Sequence, residues 1–184
     1  MLKKFKRKKV LVVGGDSRLG KVLKKKLSRN FTVYETTRKI KKSKKSIFLE
    51  LGDIKNFKTN ILFNFVIVVG GVTDYKICNN NYDYAYKINC KNIPEIAKYF
   101  IKKGSFLLFI STNTVFKYLK KIPDEYDKPN PSFNYSKLKF ITEKKIYKVA
   151  KKYNFTENFS ILRLSKNVDR YTSPFNIWVK SLRK

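Results

Sequence analysis

The chain has 184 residues, a length for one domain, and 42% of them are apolar, enough for a packed core. Aromatic residues reach 15%, which separates the chain from the disordered class despite a net charge of +30. The longest apolar runs, residues 10–13 and 65–69, fall far short of the ~20 residues of a membrane-spanning helix, and two cysteines without a histidine exclude a disulfide framework, His-based triads and the common zinc sites.

The basic start, residues 3–9, leads into four apolar residues and then glycines, which is not the pattern of a signal peptide. The expectation is a reduced, cytoplasmic, single-domain protein without a membrane partner. Residues 9–13 form the first predicted strand, and Gly14-Gly15-Asp16-Ser17 its turn. A helix follows with Leu19, Val22, Leu23 and Leu27 on one face. Residues 31–36 read as strand two, and a lysine-rich loop leads to strand three at 46–51. Strand four, 65–69, is an uninterrupted β-branched run of the kind buried on both faces of a sheet. A long helix from about 83 to 102 stops at Gly104, a C′ glycine. Strand five covers 105–111; after a loop with Pro123, Pro129 and Pro131 comes a helix over about 132–153, then strand six at 159–164. Strands alternating with helices predict an α/β fold: a doubly wound parallel sheet of Rossmann type.

Lys, Asn, Ile, Phe and Tyr make up over half the chain, whereas Ala, Gly and Pro are scarce. The abundant set has A/T-rich codons, so genome composition alone deposits lysine wherever a surface tolerates it. Lysines run through nearly every segment, densest at 3–9 and 38–45, instead of marking one face. Compositional drift is therefore preferred to a specific nucleic-acid footprint. Either origin leaves a salt-sensitive background affinity for polyanions.

Three groups of residues carry chemistry. In Gly14-Gly15-Asp16-Ser17-Arg18-Leu19-Gly20 a strand turns into a helix whose free N–H groups and dipole attract an anion. The spacing departs from G-x-G-x-x-G, and a tight turn without a ligand is the competing reading. Tyr135 and Lys139 stand i, i+4 on one helix face. An ammonium ~4 Å from a phenol favours phenolate by up to about 4 kcal/mol at an effective dielectric of 20, which brings the phenol toward useful acid–base chemistry. With 12 tyrosines and 43 basic residues, chance also supplies such a pair. Thr112 ends strand five, where ligands of open sheets bind, though a Ser/Thr cluster there also serves local backbone groups. An NAD site needs a carboxylate near the end of strand two, where the chain reads Val33-Tyr34-Glu35-Thr36-Thr37-Arg38; Arg38 suits a 2′-phosphate instead. NADP is expected over NAD, with Glu35 as the competing ribose ligand.

In this order the motifs resemble the extended short-chain dehydrogenase/reductase family, nearest its dTDP-4-dehydrorhamnose reductase-like branch. Gly14 to Gly20 is similar to the family's phosphate turn, and Leu51-Gly52-Asp53-Ile54 to the segment contacting adenine. Val69-Gly70-Gly71-Val72-Thr73 falls where the family has its turn beneath the cofactor, followed by Asp74-Tyr75-Lys76-Ile77-Cys78; Ile88-Asn89 resembles its Val-Asn pair. Ser111-Thr112-Asn113-Thr114-Val115-Phe116 is similar to its Ser-Thr-Asp-Tyr-Val-Phe, and the proline loop leads in register to Tyr135, Lys139 and Glu143. Ser17 stands where glycine is frequent, and Asn113 where aspartate is common.

The resemblance implies an NADPH-dependent reductase of a 4-keto nucleotide sugar, serving deoxysugar and surface-polysaccharide synthesis. Tyr135 would be the proton donor, Lys139 its pKa-lowering partner and ribose ligand, and Thr112 the group that orients the carbonyl. Gly14, Gly15, Ser17, Arg18, Leu19, Gly20, Arg38, Asp53, Ile54, Gly70, Gly71, Thr73 and Lys139 would hold the cofactor. The alternatives are a nucleotide-sugar epimerase and a truncated, non-catalytic NAD(P)-binding protein. A dehydratase is disfavoured, because Asn113 and Thr114 replace the Asp-Glu pair such enzymes need. Family members continue well beyond position 184, and residues 173–178 resemble the start of that region. Residues 1–170 are thus expected to be the NAD(P)-binding domain and 171–184 the beginning of a mostly missing substrate region. A homo-oligomer or a partner chain supplying that region is expected, and turnover by the 184 residues alone is expected to be impaired.

Overall fold

The computed structural model describes residues 7–39, 43–116, 123–124 and 126–165. Residues 171–184, part of the basic clusters at 3–9 and 38–45, and Glu125 of the proline loop lie outside the described residues. Six parallel strands, β1 (Lys9–Val13), β2 (Thr32–Thr37), β3 (Ser46–Phe48), β4 (Phe65–Val68), β5 (Phe106–Thr112) and β6 (Phe159–Leu164), form one sheet in the order β3-β2-β1-β4-β5-β6. The chain steps outward from β1 in one direction and from β4 in the other. The carboxyl ends of β1 and β4 therefore meet at the reversal point, where open α/β sheets bind ligands.

Helix α1 (Arg18–Leu27) packs on β1 and β2. Helices α2 (Tyr75–Asn80), α3 (Tyr82–Tyr86), α4 (Ile93–Ile101) and α5 (Asn134–Lys152) follow, with α4 and α5 packed on each other and on β5. Right-handed crossovers in opposite directions put α1 and the α4–α5 pair on opposite faces of the sheet. The exposed lysines of α1 and α5 therefore form no single stripe. The core joins Leu11, Val13, Val66 and Val68 of the central strands to Ile96, Phe100, Leu107, Phe109 and Ile146, all fully buried or nearly so. Each such side chain contributes about 1.5–3 kcal/mol on leaving water.

Strand three is shorter than its apolar run: the ladder ends with its neighbour at Thr37, and the chain then turns, Asp53 N donating to Glu50 O at 3.1 Å. The helix expected over 83–102 is broken. Residues Lys87–Asn92 are π-helical, with Ile93 N donating to Ile88 O. Pro94 has no N–H to offer Cys90, whose carbonyl accepts from Lys145 Nζ at 2.8 Å, while the Asn89 carbonyl accepts from the Thr142 hydroxyl at 2.9 Å. Two carbonyls thus point to α5 instead of along their own helix. Proline and the hydroxyl and amine of α5 open the extra turn. Strand five runs one residue later than expected and includes Thr112.

Candidate functional site

The first half of the site is the turn between β1 and α1. Gly14 has φ +90°, and a Cβ there would lie 2.6 Å from the backbone of Gly70 at the end of β4, so two strand ends touch through hydrogen alone. A Cβ on Gly20 would meet the Gly14 carbonyl at 2.4 Å, which fixes how closely α1 approaches its own turn. Ser17 has φ −66°, so the glycine frequent at this position is not needed here. Its hydroxyl accepts from Gly20 N at 3.0 Å and donates to the Gly14 carbonyl at 2.7 Å, capping α1. No acid stands in the first turn of α1, leaving its positive end unopposed by its own residues. Thr36 of β2, which sequence reasoning missed, accepts the Gly14 N–H on its hydroxyl at 2.9 Å and the Gly15 N–H on its carbonyl at 3.1 Å.

A cleft of about 300 Å³ opens beside this turn. Of the residues proposed from the sequence to hold a cofactor, Gly14, Ser17, Arg38, Gly70 and Gly71 line it, together with Asp16, Thr37, Glu50, Leu51 and Val72. Gly15, Arg18, Leu19, Gly20 and Thr73 are adjacent in the chain but do not line it. Asp53 and Ile54 are the misplaced pair. The turn after β3 carries Asp53 into solvent, and Ile54 packs on the core and lines a separate groove with Tyr99. Glu50 and Leu51 stand in the cleft instead. At the end of β2, Thr37 donates its hydroxyl to Asp16 and accepts the Lys39 N–H at 3.0 Å. Glu35 is turned away from the cleft: it packs over Gly15, pairs with Lys24 and accepts from Ser46. Of the two candidates at the end of β2 and just beyond it, Arg38 faces the cleft and Glu35 does not.

Asn89, buried in the π-helical turn, clamps the loop after β4: its Oδ1 accepts from Val72 N and its Nδ2 donates to Val72 O, each at 2.9 Å. Val72 lines the cleft and also packs in the small apolar cluster with Tyr135, so the two halves of the site meet there.

The second half lies at the carboxyl end of β5. Thr112 is buried; its hydroxyl accepts from Thr114 N at 3.2 Å and lies 3.0 Å from the Thr114 hydroxyl, which in turn reaches Ser136 at 2.7 Å. Tyr135, on the first turn of α5, has its ring 5.1 Å from the ring of Tyr75, and Thr112 stands near enough to its phenol to act on its ionisation. Burial, with a smaller contribution from Tyr75, pushes its phenol up to about 12, against the lowering effect of Thr112. Lys139 is buried, and desolvation takes its ammonium down to about 8 despite the opposing pull of Glu143 and Cys90. Its Nζ donates to the Ile110 carbonyl at 2.6 Å and lies 4.3 Å from the centre of the Phe109 ring. The i, i+4 spacing predicts this cation beside the phenol, where it would lower the phenol's pKa. The structure differs: the lysine shares the helix face but turns inward to β5 and is not among the groups that shift Tyr135.

A family model described as the RmlD substrate binding domain matches residues 8–182. No curated protein matches the chain. Among solved structures, a hypothetical dTDP-4-dehydrorhamnose reductase from Sulfolobus tokodaii is 25% identical with a TM-score of 0.71, the match covering 85% of this chain and 55% of that one. The dTDP-4-dehydrorhamnose reductase of Bacillus anthracis str. Ames, in complex with NADP, is 20% identical with a TM-score of 0.75, covering 97% and 61%. MoeE5 in complex with UDP-glucose and NAD is 17% identical with a TM-score of 0.69, covering 83% and 52%. The chain thus spans between 52% and 61% of the length of these three structures.

Proposed function

The chain belongs to the RmlD substrate binding domain family, and from that premise we propose that it is an NAD(P)-dependent oxidoreductase of the extended short-chain type, reducing the 4-keto group of a nucleotide sugar. One observation carries the reading: Thr112 and the Tyr135 phenol stand close together at the end of β5, next to a glycine-lined cleft at the reversal point of the sheet. The family resemblance adds the setting, deoxysugar-nucleotide synthesis in the cytoplasm for surface polysaccharide.

The residues present fit a dinucleotide. The close backbone packing of Gly14 on Gly70 and of Gly20 on Gly14, the capped first turn of α1 and the adjoining cleft suit a diphosphate. Gly14, Gly15, Ser17, Arg18, Leu19 and Gly20 would hold it, and Gly70, Gly71 and Thr73 would support the nicotinamide end. Arg38, exposed at the rim, would pair with a 2′-phosphate, so NADPH is preferred to NADH. Glu50 and Leu51 would take the place by the adenine that Asp53 and Ile54 do not reach.

Bound there, the cofactor supplies a hydride. Thr112 donates to the carbonyl oxygen and orients it. Tyr135, protonated throughout the neutral range because its phenol sits near 12, gives its proton to that oxygen as negative charge develops. Lys139 serves that step only after leaving the Ile110 carbonyl, and its move toward the phenol and the ribose is what makes Tyr135 a stronger acid. The test follows deuterium from 4-deuterated NADPH into C4 of a dTDP-4-keto-6-deoxysugar by mass spectrometry, which detects even slow turnover. Labelled product is expected, reduced at least 100-fold in Tyr135→Phe. Bound NADPH with no label in the sugar would favour the non-catalytic alternative.

A further inference from the structure

Glu143 is nine-tenths or more buried and takes no part in the proton transfer above. It follows Lys139 by one helical turn and Tyr135 by two, so the three side chains share a face of α5. Both of its oxygens are engaged. The Ser111 hydroxyl donates to Oε1; Arg163 Nε donates to Oε1 and Oε2 at 3.3 Å each; Arg163 Nη2 donates to Oε2 at 2.8 Å. Ser111 precedes Thr112 on β5, and Arg163 lies on β6 with its guanidinium 5.0 Å from the centre of the Phe116 ring. One carboxylate thus ties α5 to the ends of two neighbouring strands, next to Thr112.

We propose that Glu143 is a positioning residue of the site, which fixes α5 against the end of β5 and supplies the negative charge that keeps the neighbouring Lys139 an ammonium. The importance of that ammonium rests on the reading of Tyr135 and Lys139 given above; the charge effect itself does not. The surroundings of Lys139 make the charge necessary. Among the described residues it meets the Ile110 carbonyl and the Phe109 ring of β5, and from the π-helical segment the Cys90 thiol, which burial keeps protonated. On its own helix it has Glu143, whose charge Arg163 offsets in part from β6. Glu143 is the only carboxylate among these groups. A buried amine without it gives up its proton nearer neutrality.

The two partners of the ion pair make opposite predictions. Removing the carboxylate charge in Glu143→Gln lowers the proton affinity of Lys139 about tenfold. Removing the guanidinium in Arg163→Met leaves the carboxylate less neutralised and raises it. A merely structural brace would be weakened by both changes and would move Lys139 in the same direction or not at all. The measurement is an NMR titration of the full chain carrying lysine labelled with ¹³C at Cε, with the Lys139 signal identified by its loss in Lys139→Arg. Shifts of opposite sign support the proposal; shifts of the same sign, or none, overturn it. Should Glu143→Gln not fold, the direction of the Arg163→Met shift decides alone. No cofactor or sugar is needed, so a chain that fails to reduce sugars while its Lys139 shifts as described would overturn the functional reading and leave this one standing.

Discussion

At the glycine cleft, Gly14, Ser17 and Thr36 are held by main-chain and capping hydrogen bonds, none of which depends on ionisation; at the end of β5, Tyr135 and Lys139 take their chemistry from burial. The first half is therefore fixed by its own bonds: the Gly14 and Gly15 N–H groups are held on Thr36, and the Ser17 hydroxyl on Gly14 and Gly20. The second half is held in reserve, with a phenol near 12 and an amine near 8 bound to a backbone carbonyl. An anion site can be made of backbone and be ready in advance, whereas an acid–base pair buried in an apolar helix face is adjusted only when a charged ligand arrives.

The largest effect that tests this contrast falls on the first half. In Gly14→Val the new side chain starts 2.6 Å from the backbone of Gly70 and sits on a φ of +90°. We expect NADPH affinity to fall by at least 100-fold, about 2.7 kcal/mol, in a fluorescence titration. Next comes the ionisation of Lys139. Between pH 8 and 10.5 the unfolded chain binds a proton at this residue that the folded chain has lost, so stability rises with pH across that window. Below pH 8 the buried ammonium costs about 3 kcal/mol relative to its neutral form. Lys139→Met escapes that cost, so its stability advantage in urea unfolding should shrink by about that amount from pH 7 to pH 10.5. A gap independent of pH would place the amine in water. Arg38→Ala should weaken NADPH binding about tenfold more than NADH binding, and equal losses would remove the 2′-phosphate assignment. Smallest is Ser17→Ala, which deletes the α1 cap and should cost about 1 kcal/mol of stability by thermal unfolding with the fold unchanged.

The six strands along the chain and the place of Thr112, Tyr135 and the glycine turn were legible because each depends on local signals: β-branched runs, turn glycines and i, i+4 spacing. What was not legible depends on contacts distant in sequence. The π-helical turn needs Thr142 and Lys145 of α5, more than fifty residues away, to draw off the carbonyls of Asn89 and Cys90. The direction of Lys139 is set by the Ile110 carbonyl, which no spacing along the helix reveals. Asp53 sits in a motif that resembles an adenine contact, yet the early end of β3 turns it to solvent. Glu143 did carry a signal, the third member of a four-residue spacing, but only its burial and its bonds to Ser111 and Arg163 give that spacing a meaning.

The central claim is that a cofactor site already formed by backbone is coupled to a catalytic helix that changes when the cofactor binds. Calorimetric titration of the chain with NADPH across pH 6.5 to 9.5 tests both parts at once. Saturable binding is predicted, with proton uptake that grows toward pH 9, because binding draws Lys139 out as an ammonium, and with no such uptake in Lys139→Met. Saturable binding without proton uptake, or with the same uptake in Lys139→Met, would contradict the coupling, and no saturable binding of NADPH or NADH at any pH would contradict the site itself.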